Sequence, residues 1–114
     1  MEMIGEVEVQ VVLYQEDGRW IAQGLQFDVT ASGSSPPEAA KRFAAKVGAE
    51  VVISLDKGEP GPLSSVPQAP KKFWAMYNRA QMTLVPSEVP IRVINDGPAP
   101  RLRQSVRIGE LENA

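Results

Sequence analysis

The sequence predicts an α+β fold, a small antiparallel sheet in β-β-β-α-β order with one long helix packed on a face and a short second helix. Three observations carry this reading. Residues 6–14 alternate Val7, Val9, Val11 and Leu13 with Glu6, Glu8 and Gln10, the period of a strand with one wet face. Asp17-Gly18 follows at once, a pair that favours a tight type I′ hairpin turn. Ser35-Pro36-Pro37-Glu38 then has the spacing of a helix start, with Ser35 as cap, Pro36 in the first turn and Glu38 three residues after the cap.

The remaining elements follow in chain order. A second strand is expected over residues 19–23 and a third over 27–31, ending at Gly33. The long helix runs from Pro36 to about Leu55, with Ala40, Phe43, Ala44, Val47, Val51 and Leu55 as its apolar stripe. Gly48 weakens it, and Asp56-Lys57-Gly58 supplies a stop. Residues 57–70, rich in Pro, Gly and Ser, read as a surface loop or linker. Residues 70–80 form a short helix with Phe73, Met76, Tyr77 and Ala80 on one face. Residues 89–94 are a strand in which Pro90 argues for its first position or for an edge. Residues 101–109 could add another short strand, although Leu102, Ser105 and Ile108 do not alternate. The 114 residues suit one domain, with a core at about 4–58 and a C-terminal extension over 70–114.

Composition excludes several chemistries. There is no cysteine, so disulfides and thiolate metal sites are absent, and no histidine, which removes Ser-His-Asp and Cys-His catalysis. Asp17 and Asp28 could belong to a magnesium-binding carboxylate cluster, but Asp17 has a turn role and Asp28 lacks a second carboxylate on its strand face. Ser32, Ser34 and Ser35 lack an activating base, and capping accounts for Ser35. Gly24, Gly33 and Gly48 do not make a phosphate loop. No catalytic residue, cofactor or metal is therefore expected. The acidic N-terminus does not resemble a signal peptide and no apolar run is long enough to span a bilayer, so a cytoplasmic location without membrane contact is expected.

Charge is unevenly distributed. Residues 1–70 carry a net charge of −5 and residues 71–114 one of +3. The acidic part suits a basic protein partner better than a nucleic-acid duplex. Trp74 lies off the apolar face of its helix and is either a candidate contact or buried against the sheet, while Lys71, Lys72 and Arg79 beside it could suggest nucleic acid but more commonly mark a solvated face. Arg101, Arg103 and Arg107 form a thin basic tail, with Glu110 and Glu112 beside it.

The stretch Gly18-Arg19-Trp20-Ile21-Ala22-Gln23-Gly24-Leu25-Gln26-Phe27-Asp28-Val29, followed by Ser32-Gly33-Ser34-Ser35-Pro36-Pro37-Glu38-Ala39, resembles the HicB-like antitoxin domain over about residues 7–58. The resemblance implies a partial ribonuclease-H-like fold without the nuclease's catalytic acids. It also implies a protein that blocks a small basic ribonuclease toxin and forms homo-oligomers. Gly24 stands where that family often has Cys, and Pro36-Pro37 replaces its usual Leu-Glu. Residues 81–114 are too short and proline-broken for a ribbon-helix-helix or helix-turn-helix, so DNA binding is not expected. Glu6, Glu8, Gln10, Trp20, Gln23 and Trp74 are the expected partner contacts. The alternative is a stand-alone oligomeric module with no toxin, associating through residues 73–80 and 90–94.

Overall fold

The computed structural model describes residues 6–59, 63–80, 82–83, 87–90 and 101–110. Its elements are β1 (Glu6–Glu16), β2 (Arg19–Gly24), β3 (Thr30–Gly33), α1 (Pro36–Asp56), α2 (Lys71–Arg79), β4 (Met82–Thr83), β5 (Ser87–Pro90) and β6 (Arg101–Ile108). The fold is α+β as expected, with one long and one short helix. The first three strands form an antiparallel meander. Asp17 and Gly18 both take positive φ, 52° and 78°, as a type I′ turn requires.

The sheet as a whole is mixed, which departs from the antiparallel expectation. Its order is β3-β2-β1-β6-β4, with β5 also paired to β6. β6 lies parallel to β1, from Glu6 opposite Arg101 to Leu13 opposite Ile108. Residues 101–108 are therefore an interior strand and not an appended tail. Their pattern is period two after all. Leu102, Gln104 and Val106 are buried, while Arg103 is exposed and Ser105 and Arg107 are half-buried. Gln104, a polar residue in the buried series, hides the alternation. Residues 91–94 of the expected edge strand lie outside the described residues, and β5 ends at Pro90.

α1 covers one face of the sheet. Ser35 Oγ accepts the Glu38 N–H at 3.3 Å, the expected cap. The returning contact is displaced by one residue, because Glu38 accepts the backbone N–H and hydroxyl of Ser34, at 3.1 and 3.0 Å. At the other end, Gly58 has φ +70°. Its N–H donates to Leu55 O and that of Glu59 to Ser54 O, the pairing of a Schellman stop. Phe43, Ala44, Val47 and Val51 are buried as expected, but Ser54 is buried in place of Leu55, which is exposed. The reason is local. Ser54 Oγ accepts the Leu63 N–H at 2.9 Å and donates to Glu59, whose other oxygen accepts from Ser65 at 2.6 Å. The last turn of α1 thus faces the segment that follows it.

That segment is more than a linker. Leu63 is buried in the core beneath α1, while Ala69 belongs to a second core under α2. Between them the chain is tied to the β2–β3 connection, by Asp28 N–H to Pro67 O at 2.7 Å and Ala69 N–H to Leu25 O at 2.9 Å. It carries the chain from one side of the sheet to the other. α2 then buries Phe73, Met76 and Tyr77 against Val12, Tyr14 and Leu25. The expected face of this helix holds, apart from Ala80, which is its C-terminal cap and only half-buried.

Candidate functional site

The two faces of the sheet differ along their length. On β1, Val7, Val9, Val11 and Leu13 all belong to the core beneath α1. The opposite face changes character halfway. Val12 and Tyr14 are buried under α2, but Glu8 is exposed and Gln10 half-buried. Parallel pairing sets Arg103 beside Glu8, Ser105 beside Gln10 and Arg107 beside Val12. The uncovered half is consequently polar on both strands.

A groove of about 480 Å³ lies there, lined by Glu8, Val9, Gln10, Gln26, Arg103 and Ser105. Gln26 forms one wall. Its Oε1 accepts the Gln10 N–H at 2.7 Å and its Nε2 donates to Gln10 Oε1 at 2.8 Å. The Gln26 side chain thereby continues the β1–β2 ladder beyond Gly24, where β2 ends. Arg103 Nη1 lies 3.8 Å from Glu8 Oε1, with both side chains more than half exposed. An ion pair this open is worth little in stability, but it changes the face. The acidic series of β1 is matched within the chain by the basic series of β6, since Glu6 and Glu8 stand opposite Arg101 and Arg103. This is not the acidic surface expected from the charge of residues 1–70.

The six expected contacts do not form one surface. Glu8 and Gln10 lie on the uncovered half-face, and Glu6 shares their parity on β1, its side chain being outside the described residues. Trp20 is half-buried on the opposite face, against the core beneath α1. Gln23 is a correction, because it is only 2% exposed and cannot reach a partner. Its Nε2 donates to Gly24 O and to Asp28 Oδ1, both at 2.9 Å. Trp74 is half-buried on α2, against the second core. Arg103, Ser105 and Gln26 were missed. Only the β1–β6 register brings the first two beside β1, and Gln26 joins through a loop.

Other residues singled out in the sequence have structural roles. Asp28 holds Gln23, and Ser35 caps α1. Gly24, where a Cβ would come within 2.7 Å of Phe27 O and 2.9 Å of the Phe43 ring, leaves no room for a side chain such as Cys. Arg107 lies over the Tyr77 ring at 4.3 Å and donates to Tyr77 O at 3.2 Å. The β3 edge is guarded by α1, through Lys46 Nζ to Thr30 O at 2.8 Å and Arg42 Nη1 to Ser32 O at 3.3 Å. An added strand would have to displace these cations. Among the described residues there is no group of three or more acidic side chains placed to hold a metal ion, and no helix long and apolar enough to cross a membrane. Comparison with models of protein families, with curated proteins and with solved structures finds no match for this chain.

Proposed function

We propose that this chain is a non-catalytic protein-binding module of the antitoxin type, whose contact surface is the uncovered half-face of the sheet. The observation that carries the reading is the groove between Glu8, Gln10, Gln26, Arg103 and Ser105, an open polar stretch of the sheet face that α2 leaves uncovered. The resemblance to HicB-like antitoxins supplies the partner class, a small basic ribonuclease. The meander followed by a capped helix laid on one face agrees with it. Recognition rests on side-chain amides, a hydroxyl and a matched ion pair, so selectivity comes from hydrogen-bond geometry more than from bulk acidity.

A second reading keeps the surface and changes the occupant. Glu8 and Arg103 place both signs side by side, so a two-fold axis through this face would set the carboxylate of one copy against the guanidinium of the other. Purification of the tagged protein from its native cells separates the two. A small basic companion in near one-to-one ratio supports the antitoxin reading, and a self-oligomer without companion supports the second. Ser105→Arg should fill the groove and weaken either assembly at least tenfold. Unchanged assembly in that variant would move the interface elsewhere.

A further inference from the structure

The other half of the same sheet face, covered by α2, carries a different chemistry. From Pro60 to Ser87 the chain contains no acidic residue, and its only charged side chains there are Lys71, Lys72 and Arg79, all on α2. All three are exposed, as are Ala75 and Asn78 between them. The outward side of α2 is thus cationic and free of bulky apolar groups. Lys72 and Arg79 are seven residues apart, two turns on one side of the helix and about 10 Å along its axis.

Two neighbours complete the surface. Arg107 is fixed by the Tyr77 ring and carbonyl, at 4.3 and 3.2 Å, which adds a positioned guanidinium at the C-terminal end of α2. Trp74 is half-buried, and its helical position lies between Lys71 and Asn78. One side of the indole packs on the second core while part of it reaches the surface. Lys72 Nζ lies over the Phe73 ring at 5.0 Å, but neither lysine suits its place in the helix. They occupy its first turn, where positive charge opposes the macrodipole, and Pro70 gives no side-chain cap. Among the exposed acids on this side of the sheet are Glu8 and Glu16 of β1 and Asp28, which holds Gln23; Glu8 has Arg103 beside it, and Glu88 of β5 stands opposite Arg103 in the register.

We propose that the α2 surface binds single-stranded nucleic acid, with phosphates on Lys71, Lys72, Arg79 and Arg107 and a base stacked on Trp74. Cations distributed around a partly exposed aromatic are the common elements of single-strand recognition. A duplex groove is excluded as the target, because α2 is held on the sheet along Phe73, Met76 and Tyr77 and presents only one short side. This site is separate from the groove at Glu8 and Ser105 and does not depend on what binds there.

The two tryptophans provide the test, since Trp20 lies on the other face of the sheet. Trp20→Phe leaves Trp74 as the sole indole, and Trp74→Phe leaves Trp20. Both proteins are titrated at low salt with a twelve-nucleotide oligouridylate and, separately, with polyglutamate of equal charge. Saturable quenching of Trp74 but not of Trp20, by the oligonucleotide and not by polyglutamate, is expected. With about three or four phosphates neutralised, the logarithm of affinity should fall with the logarithm of salt at a slope of about −2 to −3. Lys71→Glu with Lys72→Glu should weaken binding at least tenfold. That variant should fold, because acids in the first turn suit the dipole, and its circular dichroism verifies this. Absence of quenching, equal quenching of both tryptophans, equal response to polyglutamate, or full binding by the folded charge-reversed variant would each overturn the proposal.

Discussion

The layer under α1 and the layer under α2 use the same sheet in different ways. Under α1 every inward position of β1 is apolar, and a 21-residue helix with a side-chain cap and a glycine stop lies over it. Under α2 a nine-residue helix without a side-chain cap covers only Val12, Tyr14 and their neighbours. There Tyr14 and Phe73 stack at 5.7 Å between ring centroids, and burial pushes the Tyr14 phenol above its usual range. The difference teaches that the first face is committed to stability. The second is divided between a small satellite core and open polar surface, where binding can be placed without loss of the fold.

The largest expected effect tests that division. Phe43→Ala removes a fully buried ring from the main core and should cost about 3–5 kcal/mol in denaturant unfolding. Phe73→Ala, at the margin of the smaller core, should fall at or below the bottom of that range. Equal costs for the two variants would make the second layer as central as the first.

A sharper contrast comes from two close approaches of glycine. In Gly24→Ala the new Cβ meets the Phe27 carbonyl at 2.7 Å, backbone that cannot step aside, so about 1–3 kcal/mol should be lost. In Gly109→Ala it meets Met76 Cγ at 2.6 Å and Val12 Cγ2 at 3.0 Å. The flexible thioether can turn away, so the cost should stay below about 1 kcal/mol. Urea midpoints of the two variants compare the rigidity of the layers directly, and a larger loss at Gly109 would reverse the ranking.

The smallest effect concerns the two ends of α1. Hydrogen bonds from Ser34 hold the Glu38 carboxyl below its usual pKa, and those from Ser54 and Ser65 do the same for Glu59. Both groups bind protons more readily in the unfolded chain. Their stabilisation is full above the ordinary carboxylate pKa of 4.5 and is lost as pH falls through the lower folded values. Melting temperature against pH should therefore fall less steeply below pH 4.5 in a Glu38→Gln, Glu59→Gln protein than in the parent. Parallel curves would show that neither carboxylate links α1 to acid stability.

Much of the fold was legible because its signals are local. Alternation marked β1, the Asp17-Gly18 pair its turn, Ser35 and Glu38 the start of α1 and Gly58 its end. β6 was harder to read, since Gln104 interrupts its buried series and Arg103 and Arg107 occupy its other side. The candidate site was legible only in Glu8 and Gln10. Gln23 was misplaced because sequence pattern does not show which polar side chain turns inward to hold Asp28.

The sequence by itself determined the meander, both helices and the apolar face of each except at Leu55 and Ala80, since periodicity, turn chemistry and caps act within a few residues of the chain. Tertiary structure alone decided that β6 lies parallel to β1, that α2 takes the face opposite α1, and that Trp20 and Trp74 point to different sides. Pairing Glu8 with Arg103 joins strands from the two ends of the chain. Such a register follows from which apolar surfaces can be buried together, and that is a property of the assembled sheet and helices, not of any one segment.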